Sequence, residues 1–199
     1  MEFDAWFAGK DFTTDWTTAR FPIWTSIFSA RRQAVAEVLE IGAWEGRSAV
    51  FFLRYFDSCK LTCIDPFCGT LRYPLDEEWA RRAAQSEARF DRNLAEFGLR
   101  CRKMREASYD GLARLAIERR KFDVIYIDGS HHSRDVYADA AMSWPMLNRR
   151  GVMIFDDYQW ADMPDPEDRP KLGIDAFLAA NTEAFSELFR GAQIIIEKP

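Results

Sequence analysis

The sequence predicts an α/β fold: a mostly parallel sheet with helices on both faces. Three observations carry that prediction. Short apolar segments rich in Val, Ile and Leu alternate with helix-patterned stretches over most of the chain. The apolar segments are continuous, not alternating, as strands covered on both faces are. Several of them stop at a glycine or an acid, and open sheets of this kind bind ligands beyond the carboxyl ends of their strands.

Taken in order, an aromatic, Thr-rich opening from Phe12 leads into a short helix around Trp24 to Arg32. Residues 34–42 (AVAEVLEIG) form the first strand, stopped by Gly42, and GRSAVFFLRYF (46–56) follows as an apolar helix. KLTCIDPF (60–67) is the second strand, ended by Asp65-Pro66. A polar loop then leads into a helix from about Glu78 to Phe97, whose Phe90, Leu94 and Phe97 share one face. LRCRKMREAS (99–108) reads as a third strand, YDGLARLAIER (109–119) as a helix and KFDVIYID (121–128) as a fourth strand. Arg134 to Leu147 is helical, with Val136, Ala140, Trp144 and Leu147 on one stripe. GVMIFDDY (151–158) is the fifth strand; a Pro- and Asp-rich loop over 159–171, a last helix and the strand AQIIIEK (192–198) complete the chain.

At 199 residues the chain fits one domain, 1–199, with residues 1–34 as an aromatic, partly helical extension of a core over 35–199. A hydrophobic content of 48% suits an ordered globular protein. A net charge of −5 argues against a nucleic-acid partner, which calls for a basic face. The four cysteines (Cys59, Cys63, Cys68, Cys101) form no C-x-x-C pair, no basic leader precedes an apolar run, and no apolar stretch is long enough to span a membrane. A cytoplasmic protein with reduced thiols and no membrane partner is expected. The aromatic N-terminal segment has two candidate destinations, over the active site or against a second copy in a homo-oligomer.

The turn LEIGAWEGRS is the first functional signal. Gly42 lets the chain turn sharply after the strand, and Gly46 would let a ligand approach the next helix. The spacing is not Gly-x-Gly-x-x-Gly, and Glu45 stands where a dinucleotide's pyrophosphate would lie, so Glu40 and Glu45 favour a cationic ligand. Asp65 ends the second strand, where a carboxylate can take both hydroxyls of a ribose; the plainer reading is an ordinary strand end. The second signal is a pair of acid clusters, IDGSHH (127–132) and FDDY (155–158), on neighbouring strands. Asp128, Asp156 and Asp157 should converge there, and three close carboxylates repel one another unless a cation sits between them. Oxygen ligands suit Mg²⁺, Mn²⁺ or Ca²⁺. Turn chemistry at strand ends is the alternative.

Together LEIGAWEGRS, Asp65 and the stretch from Phe122 to Tyr158 resemble the class I S-adenosylmethionine-dependent methyltransferases. They are most similar to the divalent-metal-dependent O-methyltransferases of small molecules (methyltransferase family 24-like), which include enzymes acting on sugars and natural products. The shared residues are Asp128 to His131, Asp139, Trp144, Leu147, Gly151 and Asp156-Asp157. The resemblance covers nearly the whole chain. It implies a Rossmann-like, seven-stranded sheet, mostly parallel, with an antiparallel C-terminal strand. It also implies S-adenosylmethionine near Glu40, Gly42, Gly46, Ser48, Asp65, Ala107, Ser108 and Asp128, and Mg²⁺ at Asp128, Asp156 and Asp157.

A small hydroxylated acceptor is implied as the partner. The sequence departs from the resemblance at NRRG (148–151), where a Gly pair is commoner, and at Asp157, where catechol-type relatives carry Asn. Where those relatives have a lysine base this chain has His131, read as the general base with Asp128 beside it; a metal contact and a helix cap are its alternatives. A plain cap by Ser108 is the alternative for that residue. His132 is read as structural. Arg72, Tyr73, Trp160 and the loop Asp162–Asp168 are candidates for an acceptor pocket or lid. A catalytically idle cofactor-binding or scaffold protein of the same fold is the competing reading.

Overall fold

The computed structural model describes residues 3–69, 77–161 and 165–199. Arg72, Tyr73 and Asp162 lie outside the described residues.

Among those residues, seven strands form one sheet: β1 (Glu37–Ile41), β2 (Lys60–Ile64), β3 (Cys101–Met104), β4 (Phe122–Ile127), β5 (Leu147–Phe155), β6 (Ser186–Arg190) and β7 (Ile194–Glu197). Their order is β3-β2-β1-β4-β5-β7-β6. β1 to β5 pair in parallel, and β7 runs antiparallel to both its neighbours. The helices are α1 (Asp4–Phe7), α2 (Phe21–Phe28), α3 (Arg47–Tyr55), α4 (Glu77–Leu94), α5 (Ser108–Ile117), α6 (Ser133–Ser143) and α7 (Pro170–Ala180). The sheet is thus Rossmann-like, as the sequence implies. Chain order reverses between β1 and β4, which opens the crevice where such sheets bind ligands.

Alternation along each strand builds two cores. Val38, Val124, Tyr126, Val152 and Ile154 face α2 and α3, while Leu39, Ile41, Ile125, Ile127 and Met153 face α5 to α7. The N-terminal segment is part of the first core and not an appendage. Phe21 stacks on Phe51 at 4.3 Å, Trp24 stacks on Phe52 at 5.1 Å, and Phe21, Trp24 and Phe28 are fully buried. Burying each such ring stabilises the fold by about 1.5–3 kcal/mol.

Two expectations change. The helix expected to reach Leu147 stops at Ser143, because Pro145 offers no backbone N–H; a 3-10 turn (Trp144–Met146) follows and Leu147 opens β5. The edge strand β6 was not located in the sequence: its residues are mostly exposed, so no apolar run marks them. Among the described residues, no helix is long and apolar enough to cross a membrane.

Candidate active site

The site lies where β1 and β4 end side by side. Asp128 N–H donates to Ile41 O at 2.8 Å, and Gly42 turns away at φ +85°. A Cβ on Gly42 would stand 2.0 Å from Asp128 O, so only glycine lets the two strand ends meet. Gly46 also has positive φ, but a Cβ there would meet Leu94 at 2.4 Å and Phe90 at 3.0 Å. What a side chain at Gly46 would meet is α4.

Glu45 is engaged by the N-terminal segment. It is buried and accepts from Thr13 N–H and Thr13 Oγ1, both at 2.6 Å, so it latches the N-terminal segment over the turn. Glu40 is fully buried, bonded to the Ser48 hydroxyl and to Cys63 Sγ at 3.3 Å. Burial pushes its carboxyl up to about 8, only partly offset by those bonds. Glu40 is therefore largely neutral at pH 7, and Ser48 serves it directly.

Asp65 closes the same turn. Its carboxylate accepts from the N–H groups of Ala43 (2.8 Å), Trp44 (2.8 Å) and Phe67 (2.6 Å). Burial raises its pKa against the pull of these bonds. A carboxylate has about four acceptor positions, so one remains for a ligand hydroxyl. At the end of β3, Ala107 is the N-cap of α5 and no side chain caps it, so Ser108 is not the cap. Asp139, a buried α6 acid, is raised to about 7 chiefly by burial, with the nearby Ser108 hydroxyl opposing the shift.

The acid cluster gathers at the ends of β4 and β5. His131 Nε2 lies 2.9 Å from Asp157 Oδ2 and 4.0 Å from Asp128 Oδ1. Asp128, His131 and Asp157 each offer a donor atom within 4.8 Å of the others, which fits one divalent cation. These three, Asp156 and Ser130 line a small cleft, and Trp160 packs edge-on to His131 at 4.6 Å. Asp156 stands just behind. Its Oδ1 accepts Asp157 N–H at 2.8 Å, and its Oδ2 meets the Tyr126 hydroxyl and Gln193 Nε2 (2.9 Å).

The Tyr126 hydroxyl also meets Asp128 Oδ2 at 2.8 Å. One phenol hydrogen can be donated to only one of these two carboxylates at a time. Burial first, then the mutual repulsion of Asp128, Asp156 and Asp157, raises both Asp128 and Asp156 above the usual carboxylate range. Arg20 Nε approaches Asp156 Oδ1 at 3.9 Å. His132 is buried and pairs with Asp168 at 2.5 Å, tying the loop before α7 to the start of α6.

Tyr126, Gln193 and Arg20 were missed as site residues. For Tyr126 the signal was there: it precedes Asp128 by two positions, so both face one side of the sheet.

A family profile described as a methyltransferase domain (methyltransferase family 24) matches residues 39–158, more than half of the chain. The chain belongs to this methyltransferase family. Among solved structures, the methyltransferase is similar to MycE from the mycinamycin biosynthetic pathway, solved with Mg, SAH and mycinamycin VI. That match has a TM-score of 0.68 at 19% identity and covers 98% of this chain and 53% of MycE. An O-methyltransferase from Bacillus cereus with SAH matches at TM-score 0.66 and 16% identity, covering 99% of this chain and 88% of that one. The O-methyltransferase NovP matches at 0.62 and 21%, covering 90% and 77%. At these identities the likeness concerns the fold.

An uncharacterized protein of Acanthamoeba polyphaga mimivirus is 26% identical over 126 residues, covering 61% of this chain and 51% of that protein. The methyltransferase chain spans about half the length of that curated relative.

Proposed function

We propose that this chain is an S-adenosylmethionine-dependent, divalent-metal-assisted O-methyltransferase acting on a hydroxyl of a small molecule such as a sugar or another natural product. The observation that carries the reading is the cluster of Asp128, His131 and Asp157 beside the Gly42 turn, at the point where strand order reverses. The fold neighbour crystallised with Mg, SAH and mycinamycin VI supports it.

Asp65 and the ends of β1 and β3 would hold the cofactor. Asp65 turns its remaining acceptor position to the ribose, with Gly42, Ala107 and Ser108 shaping the floor, and the buried pair Glu40 and Ser48 supports the turn from below. Asp128 and Asp157, with Asp156 behind them, supply the carboxylates for Mg²⁺, Mn²⁺ or Ca²⁺. When bound, that cation would orient the acceptor hydroxyl and lower its pKa.

The chain's own residues do the remaining work. His131 takes the hydroxyl proton, and Asp157, 2.9 Å from its Nε2, holds the ring in place and stabilises the imidazolium that forms. Trp160 packs edge-on against the ring and forms one wall beside it. The reacting oxygen must lie opposite the methyl group in line, which is a matter of orientation by the walls of the cleft.

Transfer of labelled methyl from S-adenosylmethionine to a panel of hydroxylated sugars and polyketides, with Mg²⁺ or with EDTA, tests the proposal. Turnover should require the cation. Asp156→Ala should abolish turnover while cofactor affinity holds within about threefold, because Asp156 is assigned to the metal and not to the cofactor. If Asp156→Ala only raised the melting temperature, with no activity to lose in the wild type, the idle scaffold reading would stand instead.

A further inference from the structure

A chain of buried hydrogen bonds runs behind the acid cluster, and its members lie outside the cleft. Trp24 Nε1 donates to Gln193 Oε1 at 2.8 Å, and Gln193 Nε2 donates to Asp156 Oδ2 at 2.9 Å. The Tyr126 hydroxyl bonds the same Asp156 oxygen and Asp128 Oδ2. Trp24, Tyr126 and Gln193 are each 0% exposed.

The chemistry of the chain fixes its direction. An indole N–H only donates, so the Gln193 oxygen must face Trp24 and its NH₂ must face Asp156. Asp128 and Asp156 are thereby pinned by their Oδ2 atoms to one hydroxyl. Asp128 Oδ1 is left on the side of His131, 4.0 Å away.

We propose that Tyr126 and Gln193 are positioning residues of the acid cluster, anchored by Trp24 of α2, and that they determine which oxygens of Asp128 and Asp156 face a divalent cation. Neutral partners are suited to this, since they bring no positive charge of their own to offset the charge that binds the ion. Partners of this kind, one bond removed from the ligands, typically change metal affinity 10–100-fold. The chain also gives the N-terminal segment a role at the site: Trp24 is its first link. The inference rests on the divalent-cation reading above.

Mn²⁺ titration of the full chain, followed by the loss of the free-ion electron paramagnetic resonance signal, is the test. Tyr126→Phe removes one hydroxyl and keeps the ring against Trp24 (5.1 Å) and Phe52 (5.9 Å), so it should fold. Gln193→Met removes the relay at similar volume. Each should weaken Mn²⁺ binding about 10–100-fold and change the spectrum of bound Mn²⁺, with S-adenosylhomocysteine affinity within about twofold. Because both residues hold one oxygen, the double variant should lose little more than the worse single one.

A merely structural role would lower the melting temperature and leave the spectrum of bound Mn²⁺ as in the wild type. Unchanged affinity in Tyr126→Phe overturns the proposal, even where Gln193→Met does not fold. A wild type that binds no Mn²⁺ overturns the cation reading and this one together, so the two failures are distinct.

Discussion

Glu40 shows how far a residue's chemistry departs from its letter in the sequence. As a surface acid near the turn it would attract a cation; as a fully buried one, pushed up to about 8, it keeps its proton at neutral pH. Its folded pKa lies above its ordinary 4.5, so its contribution to stability is intact below about 4.5 and is lost as pH rises through about 8. The slope in that window reaches about 1.4 kcal/mol per pH unit. Glu40→Gln should remove this part of the decline, and urea unfolding at a series of pH values from 5 to 9 (roughly the titration window) would show it. An unchanged slope would mean that Glu40 is ionised in the fold.

His131 is the second test at this scale. As a base, His131→Ala should cut turnover by about 10²–10⁴-fold and leave Mn²⁺ affinity nearly intact. A parallel loss of Mn²⁺ binding would make it a metal ligand instead. Its neighbour His132 was separable from it in the sequence only by the turn; the Asp168 pair now accounts for it.

At the scale of elements, the strands were legible where burial on both faces writes continuous apolar runs, as in β1, β4 and β5. β6 was not, since an exposed edge carries no such run, and the end of α6 was hidden because Trp144 and Leu147, on either side of Pro145, continue its stripe. The glycines divide in a similar way. Sequence alone marks Gly42 and Gly46 as a turn, but only packing tells that one serves the meeting of β1 and β4 and the other the approach of α4.

A graded series follows from that packing. Gly98→Ala, with positive φ and nothing within 4 Å, should cost about 1–3 kcal/mol of backbone strain. Gly46→Ala should cost more, because Leu94 must move. Gly42→Ala should cost most, because the obstacle is the backbone of Asp128 and Gly129. Thermal melts of the three would check the order; an equal loss in all three would show that backbone strain, not contact, sets the cost.

The whole molecule is organised around one crevice, with the N-terminal segment strapped across it. Thr13 binds Glu45, Arg47 binds Asp15, Arg20 approaches Asp156, and Trp24 begins the relay to Asp156. The acids at strand ends were legible because strand ends are where polar residues interrupt apolar runs. The strap and the relay were not, because they join residues as far apart as Trp24 and Gln193, and no local pattern records a contact at that separation.

The proposed function requires this crevice to bind S-adenosylmethionine next to a divalent cation. Calorimetric titration of the full chain with S-adenosylhomocysteine, with and without Mg²⁺, tests it most directly. A 1:1 complex of micromolar order is expected, weakened at least tenfold by Asp65→Ala, since one lost charge-assisted hydrogen bond costs about 1.5–3 kcal/mol. No heat of binding at millimolar ligand, in the presence of Mg²⁺, would contradict it.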